Sequence, residues 1–533
     1  MPADARVPVD WNRYYDSRET GEILRRYARA FPELTELSSI GESYEGRELL
    51  VIEVTNEATG PAAEKPALSL DGGLHARELT GSAVALYVLG YLLESHGRDP
   101  RITRLLDGSA FYIRPKFNPD GADLALHEDQ RLRSTVRPVD EDHDGRADED
   151  PPEDLDGDGR ITWIRVREPG GREARLIREG IDNDGDGRIN EDGVGGIDMN
   201  RNFPRFWEPE YLQPGAGDFP LSEPETYATV RFINAHPNIV GIVHGHTSGG
   251  FVYRLPSASD PTKLDPADLA LIEHLGDEYT RTTGRPVRPS STHPTEHRYG
   301  TLIEWGYQDQ GVVGWVPEYS PADAWITDYD QDGEIDEAER HRFNDEVLGG
   351  RYFTPWHPYD HPTLGRVEIG GWWDLFWGQN PPAEYLEAET RAQVHWILWL
   401  LERAPRLTAE PPTITPLGDD RYRVTVTVRN SGFLPTNLTE RGAVGRREDD
   451  GSLRDQIVAP PFAELRVSGG EVLEGEGRRR LPHLAGSSTL SRAARDREAT
   501  VEWVVRKIGA DARVEITAAA EKAGVVRLRG ELP

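Results

Sequence analysis

Apolar residues follow two different periodicities along the chain. As far as about Arg403, short apolar runs bounded by turn residues alternate with stretches whose apolar residues recur at helical intervals. The short runs predict buried strands, and they are ELLVIEVTN, PALSLDGG, SAFYIRPKF, NIVGIVHGHT and GVVGWVPEY. The helical stretches include ETGEILRRYARAFPEL and HARELTGSAVALYVLGYLLESHG. Strands that alternate with helices predict an α/β layer fold with a largely parallel or mixed sheet, in which ligands bind beyond the carboxyl ends of the strands.

The pattern changes after residue 404, where apolar and polar residues alternate one by one. The alternation is clearest in RYRVTVTVRNSG, FAELRVSGG, TVEWVVRKIG and RVEITAAAEKAG. Strands of this kind, separated by Gly, Asn and Asp turns, predict an all-β sandwich domain over 405–533 after an α/β domain over 1–404. The second domain holds few residues able to do chemistry. We therefore expect a structural or binding role for it, with a partner that the sequence leaves open.

Composition limits the chemistry available to this chain of 533 residues. It contains no cysteine, which excludes disulfides, thiolate zinc sites and a cysteine nucleophile, so a transition metal must use His and carboxylate ligands. A net charge of −32 argues against nucleic acid and anionic membranes as partners. No apolar stretch is long enough to span a bilayer. The opening MPADARVPVDWNRYY lacks a secretory signal, so we expect a cytoplasmic protein or an exported one whose signal is absent from this sequence.

Four acidic segments place aspartate at alternate positions before a glycine, which is the ligand spacing of calcium loops. They are Asp140, Asp142 and Asp144; Asp154, Asp156 and Asp158; Asp182, Asp184 and Asp186, followed by Asn190; and Asp328, Asp330 and Asp332. The fourth segment adds the Glu334 carbonyl, Asp336 at position 9 and Glu339 at position 12. Solvated acidic loops are the alternative. We predict that Ca²⁺ orders the insertions at about 134–196 and 320–345.

Two predicted strand ends carry candidate metal ligands. His75 and Glu78 lie where a strand meets a helix, and their spacing of three at a first helical turn lets both reach one cation. Imidazole and carboxylate are a common zinc pair, although a capping Glu beside an incidental His gives the same pattern. A third ligand is offered by His244 or His246, two apart on one side of a strand. A core histidine is the alternative for either.

Six further strings, in order, carry a resemblance to a known family. HARE, NPDG, RLRS, DMNRNF, HTSGG and YGTLIEWGYQDQGVVGWVPEY resemble the funnelin family of zinc carboxypeptidases, over roughly Tyr14 to Arg403. The resemblance implies a three-layer α/β/α domain with a central mixed sheet. It also implies that His75, Glu78 and His246 bind Zn²⁺ and that His244 is a neighbour. The activity implied is removal of C-terminal residues from peptides or proteins.

The same resemblance assigns the remaining roles, and each assignment has a physical reason. Asn200 and Arg201 correspond to the clamp for the substrate's C-terminal carboxylate, which a guanidinium binds in a bidentate way. Arg133 corresponds to the residue that stabilises the oxyanion. Asp198 accepts a hydrogen bond from a zinc-binding imidazole. Glu318 corresponds to the general base, which takes a proton from the attacking water and passes it to the leaving amine.

The chain departs from the family pattern in three places. The segment between Arg133 and Asn200 is long and holds three acidic loops, so we expect a protrusion near the cleft rim. The loop before Trp305 is short, which makes Tyr299 the candidate for the substrate-capping tyrosine. No propeptide is evident before Tyr14, so we do not expect zymogen control.

Ile303 occupies the position that sets side-chain preference in the family. An apolar residue there predicts hydrophobic C-terminal residues, although Glu304 is adjacent. Two other classes of function stay open: a different amide hydrolase on this scaffold, acting on peptidoglycan or removing glutamate, and a catalytically silent, calcium-stabilised binding protein.

Overall fold

The computed structural model describes residues 1–2, 4–140, 143–167, 175–256, 264–292, 298–321, 323–447, 453–454 and 456–533. Its helices are α1 Ser17–Ala30, α2 Leu79–Ser95, α3 Pro100–Gly108, α4 Pro119–Glu128, α5 Pro224–Ala235, α6 Pro266–Thr283, α7 Leu302–Gln310, α8 Glu337–Glu346 and α9 Ala383–Glu402. The strands before residue 404 are β1 Thr35–Glu42, β2 Glu48–Val54, β3 Ala67–Gly72, β4 Ala110–Arg114, β5 Trp163–Val166, β6 Arg175–Arg178, β7 Ile239–Thr247, β8 Phe251–Arg254, β9 Val287–Pro289, β10 Val313–Tyr319, β11 Phe353–His361 and β12 Gly365–Trp372. Those after it are β13 Leu407–Ala409, β14 Thr413–Gly418, β15 Arg421–Asn430, β16 Arg446–Arg447, β17 Leu453–Arg454, β18 Phe462–Ser468, β19 Gly470–Glu474, β20 Arg478–Arg480, β21 Glu498–Lys507, β22 Arg513–Ala520 and β23 Gly524–Glu531.

A mixed eight-stranded sheet forms the centre of the first part, in the order β1-β2-β4-β3-β7-β10-β8-β9. Strands β4, β3, β7 and β10 run parallel to one another. Every residue of β3 and β7 is buried, because helices cover both faces of the sheet. Helices α2 and α9 pack against each other and against β7. The predicted α/β fold with a central mixed sheet is confirmed.

Three glycines let helix α2 lie directly on the strand ends. A Cβ atom on Gly72 would lie 2.2 Å from the carbonyl carbon of Gly81 in the first turn of α2. A Cβ atom on Gly81 would in turn lie 2.5 Å from the carbonyl oxygen of Gly245 in β7. Any larger residue at these positions would push the helix off the sheet. The start of α2 is therefore held against the carboxyl ends of β3 and β7.

The backbone corrects two local predictions: the residue types Asn-Pro-Asp-Gly predict a reverse turn, and the spacing of His75 and Glu78 predicts a first helical turn. The sequence Asn118-Pro119-Asp120-Gly121 does not form a reverse turn, because Asn118 caps helix α4 and accepts the N–H of Gly121 at 3.0 Å. His75 and Glu78 do not lie within a helix either. They share a turn closed by a hydrogen bond of 3.0 Å from Glu78 N to His75 O, and α2 begins only at Leu79.

The long insertion forms part of a second, antiparallel sheet. Its strands β5 and β6 pair with the hairpin β11–β12 in the order β11-β12-β5-β6. The sequence analysis did not predict this hairpin. Pro355 and Pro358 interrupt the alternation of β11, and they are tolerated because β11 is an edge strand.

After residue 404 the strands form two main antiparallel sheets, with the orders β13-β15-β21-β19 and β20-β18-β22-β23. Their facing residues share one apolar core that includes Val424, Trp503 and Ile516, so the predicted all-β region is confirmed. This region contacts the α/β part through Lys522, which is 1% exposed and donates to the carbonyl of Ile239, the first residue of β7, at 2.9 Å. Within the described ranges, no helix has the length and apolar character needed to cross a membrane.

Candidate active site

The side chains of His75, Glu78 and His246 converge at the carboxyl ends of β3 and β7. His75 Nδ1 lies 2.9 Å from Glu78 Oε1 and 2.9 Å from His246 Nδ1. His246 Nδ1 lies 2.9 Å from Glu78 Oε2. All three residues are at least 97% buried. The structure therefore brings together the three residues that the sequence analysis named as zinc ligands.

The donors and acceptors of this cluster fit a shared cation. His75 Nε2 lies 3.1 Å from Asp198 Oδ1, so an N–H placed there donates to the carboxylate and leaves a lone pair on Nδ1. That lone pair faces a carboxylate oxygen of Glu78 and the ring of His246. Burial acts to raise the pKa of Glu78, but the two imidazoles outweigh burial and hold it well below its usual range. Two imidazoles and one carboxylate around one point are the ligand set of a catalytic zinc with an open position.

Asp198 connects the cluster of His75, Glu78 and His246 to two basic residues. Its Oδ2 accepts from Arg133 Nε at 2.9 Å, and its Oδ1 accepts from the backbone N–H of Asn200 at 2.8 Å. Arg201 lies 3.8 Å from the same carboxylate. Burial acts to raise the pKa of Asp198, and Arg133, Arg201 and His75 together hold it well below its ordinary value. Asp198 is thus an anion that orients both an imidazole and a guanidinium.

Asn200 presents its amide in a fixed orientation. Its Oδ1 accepts from the N–H of Leu302 at the start of α7, at 3.2 Å. The amide NH₂ is therefore the group available to an incoming acceptor. Arg201 donates to the carbonyl of Asn200 at 2.9 Å, which ties the two neighbours together.

Glu318 lies on the next strand, beside the cluster of His75, Glu78 and His246. Strand β10 runs parallel to β7, and Glu318 is the cross-strand partner of His246. Burial raises the pKa of Glu318 well above its usual value, and the charge of Glu78 adds to the effect, while Arg133 and Arg298 act in the opposite direction. A carboxylate with a raised pKa is a stronger base than an exposed one.

One pocket contains most of the predicted catalytic and substrate-binding residues. Its lining includes His75, Arg133, Asn200, Arg201, His246, Ile303 and Glu318 from the predictions. The sequence analysis missed Tyr253, Ser290, Arg298, Thr301 and Val316, which line the same pocket. Arg298 stacks on the ring of Tyr253 at 4.8 Å, and the short string Arg298-Tyr299-Gly300 carried no signal that could have identified it. The pocket thus combines three arginines with two apolar side chains, Ile303 and Val316.

Three residues considered from the sequence, Tyr299, Glu304 and His244, are not among the described residues that line this pocket. Tyr299 pairs through its backbone with the side chain of Gln213, at 2.9 Å and 3.2 Å, and is not among the described residues that line the pocket. Glu304, the acidic neighbour of Ile303 in the chain, accepts a hydrogen bond from Gln308 one turn along α7 at 3.0 Å. Ile303 lines the pocket and Glu304 is not among the described lining residues, so the apolar character of Ile303 is the one that a substrate would meet. His244 is buried and paired with Asp71, which agrees with its predicted place as a neighbour of the ligands.

The acidic loops share one backbone conformation. In each, the first aspartate accepts the N–H groups of loop positions 4 and 6, both of which have positive φ. The acceptors and donors are Asp140 with His143 and Gly145, Asp154 with Gly157 and Gly159, Asp182 with Gly185 and Gly187, and Asp328 with Gln331 and Gly333. Asp142 lies outside the described residues. Calcium binding by these loops stays a prediction.

The other predicted calcium ligands have varied surroundings. Asp144, Asp158, Asp186 and Asp332 accept the N–H two residues further on in their own loops. Asp156 lies 3.1 Å from His357, and Asp158 also accepts from Thr354, both in β11. Asn190 donates to the carbonyl of Arg178 at 2.9 Å. Asp330 accepts from Asp332 N, Glu334 is exposed, and Asp336 and Glu339 form a capping box at the start of α8.

Comparison with known proteins places this site in a family context. A family model described as zinc carboxypeptidase matches residues 21–329. A second model, for a domain of unknown function, matches residues 406–530. Carboxypeptidase D of Anas platyrhynchos is 34% identical over 123 residues, which cover 23% of this chain and 9% of that protein. Carboxypeptidase A1 of Mus musculus is 23% identical over 319 residues, which cover 57% of this chain and 59% of that protein.

A solved structure of thrombin activatable fibrinolysis inhibitor is similar with a TM-score of 0.47 and 17% identity, covering 75% of this chain and 77% of that chain. Of the two carboxypeptidases named above, this chain spans 9% and 59% of the length, which is less than two thirds in both cases. The zinc carboxypeptidase model nevertheless matches more than half of the chain, including His75, Glu78, His246 and Glu318. Because of this match, the protein belongs to the zinc carboxypeptidase family.

Proposed function

We propose that the protein is a zinc-dependent metallocarboxypeptidase that hydrolyses C-terminal peptide bonds, with Glu318 as its general base. The observation that carries the proposal is the single pocket in which Glu318 and Arg133 adjoin His75 and His246. Family membership implies the zinc ion, and the His75, Glu78 and His246 cluster provides a donor set that fits it. When bound, zinc would supply Lewis acidity toward the peptide carbonyl and the attacking water.

Asn200 and Arg201 support binding of a free carboxylate at the end of the substrate. Both are more than 90% buried, so a carboxylate bound there exchanges water for charge-assisted hydrogen bonds. The oriented NH₂ of Asn200 gives a second donor beside the guanidinium. This pair favours an exopeptidase over an enzyme that cuts within a chain, whose substrate has no carboxylate at that place.

Glu318 and Arg133 have separate roles at the scissile peptide bond: Glu318 transfers a proton, and Arg133 stabilises negative charge. Glu318 accepts the proton of the attacking water, and its raised pKa lets it hold that proton and then deliver it to the leaving amine. Arg133 is fixed by Asp198 at 2.9 Å, with its guanidinium on the pocket wall. A guanidinium held in place before the reaction stabilises negative charge that develops on the carbonyl oxygen.

The pocket supports two different side-chain preferences. Ile303 and Val316 provide apolar surface, which favours the hydrophobic C-terminal residues expected from the sequence. Arg298 in the same lining favours instead a side chain with an apolar stem and an acidic end, as in glutamate. We propose the hydrophobic preference as the first candidate and the acidic one as the second.

A residue-release assay tests the proposal. Peptides that differ only in their C-terminal residue are incubated with the zinc-loaded protein, with and without a zinc chelator, and the released amino acids are quantified. We expect release that the chelator abolishes, and a fall of about 10²–10⁴-fold in kcat for Glu318→Gln with zinc content unchanged. Glu410→Gln, at an exposed position outside the pocket lining, is the matched control and should keep full activity.

The outcomes separate the proposal from its rivals. Cleavage of peptides whose C-terminus is amidated, at the same rate as free acids, would contradict the role of Asn200 and Arg201 and favour another amide hydrolase. No release from any peptide by a zinc-loaded protein would favour a catalytically silent binding protein.

A further inference from the structure

Two acidic segments of the insertion are copies of one sequence element. Residues 140–150 and 182–192 share aspartate at positions 1, 3 and 5, Gly-Arg at positions 6 and 7, and Glu-Asp at positions 10 and 11. At described positions their backbones also match, with positive φ at positions 4, 6 and 9 in both copies. The values are 69°, 99° and 60° at His143, Gly145 and Asp148, and 89°, 93° and 61° at Gly185, Gly187 and Asn190.

The two copies contact each other through their last residues. Asp150, at the end of the first copy, donates its N–H to the carbonyl of Asp192, at the end of the second, at 3.1 Å. The Oδ1 atom of Asp150 accepts the N–H of Asn183, the second residue of the other copy, at 2.7 Å. As a result, carboxylate oxygens of Asp150, Asp182 and Asp184 lie within 4.8 Å of one another.

Asp150 is the residue that indicates a ligand at this cluster. It is 0% exposed, and its Oδ2 atom has no hydrogen-bond partner among the described residues. A carboxylate oxygen that is buried without a hydrogen-bond donor costs free energy, and a bound cation offsets that cost.

We propose that a hard divalent cation of the Ca²⁺ class binds between the two copies, held by Asp150 of the first copy and by Asp182 and Asp184 of the second. All candidate ligand atoms in the cluster are oxygen atoms, and an all-oxygen ligand set suits Ca²⁺ better than it suits a transition metal. The site differs from the single-loop arrangement expected from the sequence, because the ligand that closes it comes from 32 positions earlier in the chain, at Asp150.

The same placement of a closing carboxylate recurs in the two other loops. Glu339 Oε1 accepts the N–H of Tyr329, the second residue of its loop, at 2.5 Å. Glu179 Oε1 accepts the N–H of Leu155, the second residue of its loop, at 2.7 Å. Asp150 takes the equivalent position for the loop that starts at Asp182. A position 12 glutamate such as Glu339 is the bidentate ligand of a calcium loop, which supports the same role for Asp150.

Calcium titration of the full-length, zinc-loaded protein tests this site. Isothermal titration with CaCl₂ at pH 8, after calcium has been stripped, measures the number of sites and their affinities. We expect Asp150→Asn to bind one Ca²⁺ fewer than the wild type, or to bind it about tenfold or more weakly, since a charged ligand is lost. The matched control is Glu153→Gln, because Glu153 contacts the same loop through Asn183 Nδ2 at 2.8 Å but lies outside the cluster.

Thermal melting separates ligation from a merely structural role of Asp150. With a calcium chelator present, Asp150→Asn should melt at the same or a higher temperature than the wild type, because the substitution removes a buried negative charge. With calcium present, the wild type should gain stability that the variant lacks. Four outcomes would each overturn the proposal. Calcium binding could be equal in the wild type and Asp150→Asn, absent from the wild type, or reduced in Glu153→Gln as much as in Asp150→Asn. The fourth outcome is a lower melting temperature of Asp150→Asn than of the wild type both with and without calcium. None of these outcomes depends on peptidase activity.

Discussion

Asp198→Asn probes how far the active site depends on a residue that touches neither the peptide nor the metal position. The substitution keeps the size of the side chain and an acceptor for His75 Nε2, which lies 3.1 Å from Oδ1. It removes the charge and places an NH₂ group opposite Arg133 Nε, now 2.9 Å from Oδ2, so that two donors face each other. The imidazole of His75 therefore keeps a neutral acceptor but loses a charged one, and the guanidinium of Arg133 loses its acceptor.

The expected magnitude has two separable parts. Loss of the carboxylate behind a metal-binding histidine costs about 10–100-fold in metal affinity, which is about 1.4–2.8 kcal/mol. Displacement of Arg133 removes one donor for the oxyanion, which costs about 10²–10³-fold in kcat. We therefore expect weaker zinc binding and, at saturating zinc, a kcat that is still reduced by about 10²-fold or more.

Competition with a zinc chelator measures the first effect, and turnover of an acylated dipeptide at saturating zinc measures the second. The comparison variant is Asp71→Asn. It removes a negative charge beside His244, which pairs with Asp71 and is not part of the cluster of His75, Glu78 and His246. It should keep the zinc affinity of the wild type. Unchanged zinc affinity in Asp198→Asn, or an equal loss in Asp71→Asn, would refute the reasoning.

Three further predictions, which use four substitutions, have defined outcomes. His246→Ala should abolish zinc binding, measured by metal analysis, while His244→Ala retains one zinc per chain; the reverse result would replace the ligand set. Arg298→Ala should lower kcat/KM for C-terminal glutamate about tenfold or more relative to leucine, and an unchanged ratio would exclude acidic selection. Burial and the charge of Asp120 raise the pKa of Glu225 from about 4.5 to about 7, so stability is lost as the pH rises through this interval. Glu225→Gln should remove that loss, up to about 3 kcal/mol, in denaturant titrations at pH 5 and 8, whereas parallel pH dependence would contradict it.

The sequence predicted the parts of the site that depend on neighbouring residues in the chain. His75 and Glu78 are three apart, so one turn brings them together wherever α2 begins. The strand that carries His246 was clear from its apolar run, because both faces of β7 are buried. Its neighbour β10, with Glu318, was predicted in the same way.

What the sequence could not predict depends on contacts between distant segments. Asp150 and Glu179 close loops that begin at Asp182 and Asp154, and no spacing rule identifies a ligand from another segment. Arg298 lines the pocket from a short stretch without periodicity. The hairpin β11–β12 escaped prediction because prolines interrupt its outer strand. In each case the deciding interaction is tertiary.

The buried ammonium of Lys522 limits how the chain can be divided. It donates a hydrogen bond to the carbonyl of Ile239, the first residue of β7, and His246 lies near the other end of the same strand. A fragment that ends before residue 405 would leave that carbonyl without its donor, at a cost of about 1–3 kcal/mol if it stays buried. If the C-terminal sheets were replaced by those of a relative, the replacement would need a positively charged side chain that reaches the carbonyl of Ile239. The two matched regions are therefore joined by a buried hydrogen bond at the start of β7, and any division of the chain between them has to replace that bond.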